Sequence, residues 1–253
     1  MFDPDLLNAL KHAQHIVILT GAGVSAESGI PTFRDALTGL WKNYSAEQLA
    51  SEEAFIVNTA LVWGWYEWRR GKALQAQPNP AHSAIARLER IVPKLTLITQ
   101  NVDDLHERAG SRHVVHLHGS LHHPRCIACE QPYALPIESS GNSNEATLIE
   151  PPHCPQCGEY IRPGVVWFGE YLPADGLKQA EQAAKHCDVL ISIGTSGMVR
   201  PAANLPYLAK NAGSPVVQIN PEQTDLDWSA NFNLHDKAGI VLPQLVDAVD
   251  GLS

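Results

Sequence analysis

A glycine-rich loop with the spacing of a nucleotide-binding turn follows the first apolar run of the chain. Gly21, Gly23 and Ala26 fit the pattern G-x-G-x-x-[GA]. In that pattern the first glycine permits a tight turn, the second lets the backbone approach a pyrophosphate, and the small third residue allows close packing. Ordinary βα turns have similar glycines, and the acidic residue expected about 20 positions later has no clear equivalent here. The loop therefore indicates either a simple turn or a dinucleotide held in a non-standard way.

Four of the five cysteines form two tight pairs, Cys126 with Cys129 and Cys154 with Cys157. Twenty-four residues separate the two pairs. Four thiolates at this spacing suit a closed tetrahedral Zn2+ site with no open position for water, so the metal would be structural. The alternatives are four buried free cysteines or a redox pair. We predict one structural zinc, which would hold together a segment too poor in apolar residues to fold alone.

Polar residues also follow the second apolar run. Gln100, Asn101 and Asp103 come directly after it, and His116 and His118 lie shortly beyond. Ligands bind at the carboxyl ends of the strands in open α/β sheets, so these side chains are candidates for a binding site. The chain has 12 histidines, so most of them cannot be catalytic. Residue type alone does not separate a catalytic histidine from a structural one.

The elements that must position these residues are short apolar runs alternating with helical patterns. We predict buried parallel strands at residues 15–20, 95–99, 189–193 and 216–219, and a weaker one at 239–242. We predict helices at residues 79–90, 102–109, 175–186, 201–212 and 243–249. This alternation predicts an α/β fold with a doubly wound parallel sheet, that is, a Rossmann-like domain.

Two segments interrupt the alternation. Residues 41–76 are helical and rich in aromatic residues, and residues 121–162 contain the paired cysteines. We predict that these two segments together form a smaller domain, composed of a helical insertion and a zinc-ribbon module, with a mobile loop at 138–144. The Rossmann-like domain would then consist of residues 1–40, 77–120 and 163–253.

The composition restricts the class of partner. The 253 residues carry a formal net charge of −9, so the chain lacks the basic footprint of a nucleic-acid binder. No run approaches the roughly 18 to 20 apolar residues of a membrane-spanning helix. The first ten residues have neither a basic leader nor an apolar signal core. We therefore expect a cytoplasmic protein that binds neither nucleic acid nor membrane and keeps its thiols reduced.

Six motifs in a fixed order make the chain resemble the sirtuin family of NAD-dependent protein deacylases. They are GAGVSAESGIPTFRD at residues 21–35, TQNVDDLH at 99–106, LHGS at 117–120, the two CxxC pairs, RPGVVWFGE at 162–170 and GTS at 194–196. The resemblance extends from about Gly21 to the C-terminus. It implies an enzyme that consumes NAD as a co-substrate and binds acylated-lysine proteins as extended peptides. We expect the enzyme to be a monomer.

The resemblance also implies roles for individual residues. His118 matches the general base, Asn101 and Asp103 match further catalytic residues, and no catalytic role falls to His116. The residues that match NAD contacts are Gly21, Ala22, Gly23, Ser25, Ala26, Phe33, Arg34, Gln100, Asn101, Val102, Asp103, Gly194, Thr195, Ser196, Asn220 and Ala238. The residues that match the strand pairing with the substrate peptide are Val165, Trp167, Phe168, Gly169 and Glu170.

The implied chemistry begins with the departure of nicotinamide from NAD, after which the acyl-lysine amide oxygen attacks the ribose. This oxygen is a weak nucleophile, so it needs accurate placement more than activation. His118 then takes a proton from a ribose hydroxyl. The products are deacylated lysine and O-acyl-ADP-ribose.

Tyr66 and Arg69 are three residues apart in the helical insertion, so on a helix they share one face. Three tryptophans surround them in the sequence. Without the resemblance they would be an ordinary amphipathic pair on a surface helix. Their Y-x-x-R pattern resembles class III sirtuins, which prefer succinyl- and malonyl-lysine. An arginine and a phenol in an apolar channel would bind a carboxylate better than a methyl group, so we predict a desuccinylase and demalonylase that also has some deacetylase activity.

Other activities stay open on the sequence alone. A Rossmann dehydrogenase shares the glycine loop but needs a hydride-acceptor site and a ribose-binding acid, and neither is evident. A non-enzymatic zinc-ribbon interaction module leaves Asn101, Asp103 and His118 unexplained. Within the family, the alternatives are an enzyme that mainly removes acetyl groups and a protein mono-ADP-ribosyltransferase.

Overall fold

A computed structural model of the protein describes residues 2–32, 44–135 and 147–251. Strands and helices alternate through most of these residues. The strands are β1 (Ile16–Thr20), β2 (Leu95–Thr99), β3 (Val114–His116), β4 (Arg125–Cys126), β5 (Ile161–Arg162), β6 (Val189–Ile193), β7 (Val216–Ile219) and β8 (Phe232–Leu234). The helices are α1 (Pro4–His12), α2 (Ala22–Ala26), α3 (Ala46–Leu49), α4 (Glu52–Val57), α5 (Thr59–Gln75), α6 (Pro80–Ile91), α7 (Leu105–Arg108), α8 (Ala174–Lys185), α9 (Leu205–Asn211) and α10 (Ala238–Asp250). Phe33, Arg34 and the loop predicted at 138–144 lie outside the described residues.

Six strands form one parallel sheet in the order β3-β2-β1-β6-β7-β8. Ile16 of β1 pairs with Leu95 of β2 on one side and with Val189 of β6 on the other. The chain therefore builds outward from β1 in one direction and, after β6, in the other direction. This arrangement confirms the doubly wound α/β prediction. In such sheets ligands bind beyond the carboxyl ends of the strands, at the point where the strand order reverses.

The central strands are apolar on both faces because helices cover both sides of the sheet. Ile16 and Ile18 pack with residues of α1, α6 and α10, whereas Val17 and Leu19 pack with residues of α8 and α9. Alternate side chains of a strand point to opposite faces, so a strand covered on both sides is mainly apolar at every position and not only at alternate ones. The predicted strands at 95–99, 189–193 and 216–219 match the structure, and the one at 15–20 begins one residue later.

Some predicted elements differ from the structure. The weak strand predicted at 239–242 is wrong, because these residues begin α10, whose buried side chains recur at helical spacing. The helix predicted at 102–109 is reduced to α7, and the one predicted at 201–212 begins with a 3-10 turn at Ala202–Asn204 before α9. β3 and β8, the two edge strands of the sheet, were not predicted.

A separate apolar cluster unites the helical insertion with the cysteine-containing segment. Phe55 and Trp65, from α4 and α5, pack in one cluster with Cys126, Ile161 and Trp167. β4 and β5 form a two-stranded antiparallel ribbon beside it. The fold therefore includes the predicted smaller domain with its four cysteines, while its boundaries at 41–76 and 121–162 stay a prediction. None of the described helices has the length and apolarity needed to cross a membrane.

Candidate active site

A cavity of about 1200 Å³ lies beyond the carboxyl ends of the central strands, between the sheet and the smaller domain. Every described residue predicted to bind NAD or substrate, together with His118, lines it. These residues are Gly21, Ala22, Gly23, Ser25, Ala26, Tyr66, Arg69, Gln100, Asn101, Val102, Asp103, His118, Val165, Trp167, Phe168, Gly169, Glu170, Gly194, Thr195, Ser196, Asn220 and Ala238. The structure thus brings together residues from both ends of the sequence.

The glycine loop after β1 crosses the loop after β6, and the backbones of the two loops are in direct contact. The Gly23 amide donates a hydrogen bond to the Gly194 carbonyl (2.8 Å), and the Gly21 amide donates one to the Ile193 carbonyl (3.0 Å). A Cβ atom on Gly21 or on Gly23 would lie 2.8 Å from Gly194 backbone atoms. Gly194 itself has a φ of +58°, which L residues rarely adopt. The glycines are therefore required for this crossing, and they leave a side-chain-free wall that suits the phosphates of a dinucleotide.

Hydrogen bonds connect the loops that follow β2, β6 and β7. The Gln100 side-chain amide donates to Thr195 Oγ1 (3.0 Å), and the Asn220 amide donates to the Thr195 carbonyl (3.0 Å). Thr195, which lines the cavity, is thereby held by the residues that follow two other strands of the sheet, β2 and β7. Polar groups fixed beside a side-chain-free wall are what a ribose and a pyrophosphate need, so this part of the cavity fits NAD.

A buried polar network lies beside this wall. The Asn101 side-chain amide donates a hydrogen bond to Ser25 Oγ (3.0 Å). The Ser25 hydroxyl in turn donates one to the Asp103 carboxylate. The Leu105 amide donates to Asp103 Oδ1 (3.1 Å). Burial raises the pKa of Asp103 in spite of these hydrogen bonds. Ser25, Asn101 and Asp103, which the sequence resemblance grouped, are in direct contact here.

Two buried histidines that sequence reasoning missed support this network. His82 Nε2 lies 3.5 Å from Ser25 Oγ, and His106 Nε2 lies 3.0 Å from Thr20 Oγ1. The Asn79 backbone N–H donates to His82 Nδ1 (3.3 Å), so the proton of the neutral ring is on Nε2, facing Ser25. Burial lowers the pKa of His82 to about 4. The signal in the sequence was the Asn79-Pro80 start of α6, where a histidine three residues after the cap completes a capping box.

His118 has the geometry of a base. Its Nδ1 lies 3.0 Å from the Gln100 carbonyl, which only accepts hydrogen bonds, so Nδ1 carries the proton and Nε2 has a lone pair. Burial lowers the pKa of His118, so the ring is neutral at pH 7. The backbone carbonyl of His118 also accepts a hydrogen bond from the Val166 amide (2.9 Å), which connects it to the predicted peptide-binding strand.

His116 differs from His118 in its surroundings. Its Nε2 lies 2.6 Å from Glu107 Oε1, and its Nδ1 lies 3.3 Å from the Asn101 carbonyl. Burial disfavours the charged ring, but the hydrogen bond to Glu107 outweighs it and raises the pKa of His116. The pKa of His116 is therefore shifted in the opposite direction to that of His118, and the charged ring is favoured at His116.

Hydrogen bonds hold the segment Val165–Glu170, which follows β5, in place. Both oxygens of Glu170 bond the Arg162 guanidinium, and Glu170 Oε2 accepts a hydrogen bond from the Trp167 amide (2.7 Å). The Phe168 amide donates to the Ala50 carbonyl (2.9 Å), while the Phe168 side chain is 47% exposed. This segment lines the cavity and carries the partly exposed Phe168 ring, as the binding of an extended peptide would require.

Tyr66 and Arg69 lie on the wall of the cavity that α5 forms. The Tyr66 hydroxyl accepts a hydrogen bond from Trp167 Nε1 (3.1 Å), and burial raises the pKa of Tyr66 to about 12. The Arg69 guanidinium carbon lies 4.9 Å from the centroid of the Trp65 ring and 5.6 Å from that of Tyr66. The next residue, Arg70, is instead committed to a buried ion pair with Glu67 (2.8 Å). The cavity wall therefore combines a phenol that keeps its proton with a guanidinium among aromatic rings.

The four paired cysteines come together in one cluster. Their sulfurs lie within 4.8 Å of one another, and three Sγ–Sγ distances are 3.4, 3.6 and 3.7 Å. A tetrahedral zinc with Zn–S bonds of about 2.3 Å requires sulfurs about 3.8 Å apart. The amides of Ala128 and Cys129 also point at Cys126 Sγ (3.4 and 3.5 Å), as they do towards metal-bound thiolates. Cys126, Cys129, Cys154 and Cys157 therefore fit a structural zinc.

Comparison with known proteins gives consistent matches. The sequence pattern of the Sir2 family matches residues 21–201. The NAD-dependent protein deacylase of Methylococcus capsulatus is 58% identical over 248 residues, covering 98% of this chain and 97% of its own length. Among solved structures, a complex of a Sir2 homologue with NAD superimposes with a TM-score of 0.91 at 48% identity, covering 100% of this chain and 95% of that one. A triple mutant of a Sir2 homologue in complex with 2'-O-acetyl ADP ribose has a TM-score of 0.90 at 47% identity, covering 99% and 98% of the two chains.

Proposed function

Because this chain belongs to the Sir2 family and is an NAD-dependent protein deacylase, which forms O-acyl-ADP-ribose, we propose that its preferred substrates are succinyl- and malonyl-lysine. It would also remove acetyl groups. The targets would be acylated cytoplasmic proteins, bound as extended peptides along Val165–Glu170.

The observation that carries the acyl preference is the pairing of Tyr66 with Arg69 on the wall of the cavity. Both side chains are surrounded by aromatic residues, and Tyr66 is only 3% exposed. A charge-assisted hydrogen bond is stronger away from water, so an acyl carboxylate gains more from this arginine here than it would at an exposed site. A methyl group gains nothing from either polar group. Arg70 cannot take this role because Glu67 already pairs with it.

NAD fits the part of the cavity lined by Gly21, Gly23 and Thr195, and when bound it supplies the ADP-ribosyl group that receives the acyl group. Of the chain's own residues, His118 would accept a proton at Nε2, since the Gln100 carbonyl holds its other nitrogen protonated. Asn101 and Asp103, fixed through Ser25, would orient the ribose and the nicotinamide side of the cofactor. Water exclusion and placement would supply most of the catalysis, because the attacking amide oxygen is a weak nucleophile.

The zinc would act at a distance from this chemistry. Four cysteine ligands leave no open position, so the metal would hold the cysteine segment in place and take no part in the reaction. The segment contributes Cys126 and Ile161 to the apolar cluster that also contains Tyr66. Loss of zinc should therefore loosen the wall that carries Tyr66 and Arg69.

The test uses one lysine peptide carrying a succinyl, malonyl or acetyl group, incubated with and without NAD and followed by mass spectrometry. We expect Arg69→Met to lower the succinyl-to-acetyl ratio of kcat/KM by about 10-fold or more, which corresponds to about 1.4 kcal/mol. The matched control is Lys72→Met, which removes another cation of α5 that lines the same cavity. Its ratio should change by less than about two-fold.

An equal loss on both peptides in Arg69→Met would refute the proposed preference. A wild-type enzyme that removes only acetyl groups would identify it as mainly a deacetylase. Radiolabelled NAD tests the other alternative, because label transferred to protein would indicate mono-ADP-ribosylation, whereas label in O-acyl-ADP-ribose indicates deacylation.

A further inference from the structure

Trp167 makes a contact that the proposed reaction has not used. Its indole Nε1 donates a hydrogen bond to the Tyr66 hydroxyl (3.1 Å), across 101 positions of sequence. Trp167 and Tyr66 are 2% and 3% exposed, so water does not compete for this bond. Both residues line the cavity next to Arg69.

The indole is fixed on three sides. The Arg162 guanidinium carbon lies 3.5 Å from the centroid of the Trp167 ring, and the Phe55 ring packs against it at 5.4 Å. The Trp167 backbone amide donates to Glu170 (2.7 Å), which is itself paired with Arg162. A donor held this firmly can dictate the orientation of the group that accepts from it.

The phenol has two in-plane positions for its proton. The oxygen accepts the Trp167 N–H at one of them, so its own proton turns to the other, away from the indole. Burial keeps the phenol protonated, since it raises the pKa of Tyr66 to about 12. Tyr66 is therefore available as a donor with one preferred direction, at no further cost in rotational freedom when a ligand binds.

We propose that Trp167 is a specificity-positioning residue, which turns the Tyr66 proton towards the acyl carboxylate and thereby strengthens the preference for dicarboxylic acyl groups. This inference rests on the proposed function of Tyr66 and Arg69. It adds a requirement that the Y-x-x-R pattern alone does not contain, namely an indole N–H supplied by the peptide-binding segment.

The test is a double-mutant cycle in the full-length enzyme, with the succinyl-to-acetyl ratio of kcat/KM as the readout. Trp167→Phe removes the N–H and keeps an aromatic ring, and Tyr66→Phe removes its acceptor. We expect each single variant to lower the ratio by about five-fold, the effect of losing one orienting hydrogen bond. The double variant should have the same ratio as Tyr66→Phe, because Trp167 acts only through the Tyr66 hydroxyl.

A packing role would give another result. If Trp167 mattered only for the shape of the channel, Trp167→Phe would lower the ratio as much in the Tyr66→Phe background as in the wild type, and that would overturn the inference. An unchanged ratio in Trp167→Phe would overturn it too. Should Trp167→Phe fold poorly by thermal denaturation, Trp167→benzothienylalanine replaces the N–H by sulfur in a ring of the same shape and must lower the ratio likewise.

The Arg69→Met variant separates this inference from the function on which it rests. A ratio that falls in Arg69→Met and Tyr66→Phe but is unchanged in Trp167→Phe refutes the role of Trp167 alone. A ratio that is unchanged in Arg69→Met refutes the proposed acyl preference, and the role of Trp167 is refuted with it.

Discussion

Replacing Gly23 with alanine tests whether the crossing of the two glycine loops forms the NAD-binding wall. The added Cβ would lie 2.8 Å from both the Cα and the carbonyl oxygen of Gly194. These contacts are about 0.6 Å shorter than the 3.4 Å at which ordinary van der Waals contact begins. Both partners are backbone atoms, so no side chain can rotate aside and the two loops must separate. The Gly23–Gly194 hydrogen bond (2.8 Å) would be strained as well.

Overpacking of this kind costs about 1–3 kcal/mol. For a chain of this size, a loss of about 2 kcal/mol lowers the Tm by about 4–8 °C. We also expect the KM for NAD to rise by about 10-fold or more, because the displaced loops line the part of the cavity in which NAD is proposed to bind. Thermal unfolding by circular dichroism measures the first effect, and nicotinamide release at varied NAD concentration measures the second.

Gly176→Ala is the matched control for this prediction. Gly176 lies in α8, and the nearest atom to a Cβ there is Val115 Cγ1 at an ordinary 3.8 Å. Alanine is a better helix former than glycine, so this variant should keep the wild-type KM for NAD and gain about 0.5–1 kcal/mol of stability. If Gly23→Ala bound NAD as tightly as Gly176→Ala and unfolded at the same temperature, the reasoning about the crossing would be wrong.

Two further predictions concern the base and the metal. Burial lowers the pKa of His118, so the ring stays neutral down to a pH below 6.5, and kcat/KM should begin to fall only below pH 6.5. The activity that remains in His118→Ala should not show this fall. A fall that begins above pH 6.5 would contradict the assignment of His118 as the base. Metal analysis should find one zinc per chain. Removal of the zinc by a chelator, or the substitution Cys129→Ser, should lower the Tm and the deacylase activity together, because the cysteine segment packs in the same apolar cluster as Tyr66. Full activity without zinc would contradict this structural role.

The sheet was predictable where burial on both faces leaves a mainly apolar run. β1, β2, β6 and β7 are of this kind, and their predicted bounds agree with the structure to within one residue. β3 and β8 escaped prediction because they are three-residue edge strands in which only one residue, Val115, is buried. Residues 239–242 were mistaken for a strand because a short β-branched run does not distinguish a strand from a buried helix.

The site was predictable to the extent that its residues belong to local motifs. The cavity collects all of the described residues that were predicted to bind NAD or substrate, together with His118. Contacts between distant segments were not predictable, among them the Trp167–Tyr66 hydrogen bond and the support of Ser25 by His82, which is 57 positions away. Such contacts depend on how the helical insertion and α6 dock on the sheet, and no pattern in a single segment contains that information.

The hydrogen bond between the His118 carbonyl and the Val166 amide joins the base to the segment Val165–Glu170, along which the peptide is proposed to lie. The adjacent bridge between Gly119 and Val165 reinforces this junction. A peptide that displaced this segment would therefore also displace the imidazole. Target selection would then be expressed in turnover as well as in affinity: a poorly fitting lysine site could bind and still react slowly. The protein would then distinguish its targets partly by how fast it acts on them, and binding surveys alone would overestimate how many it modifies.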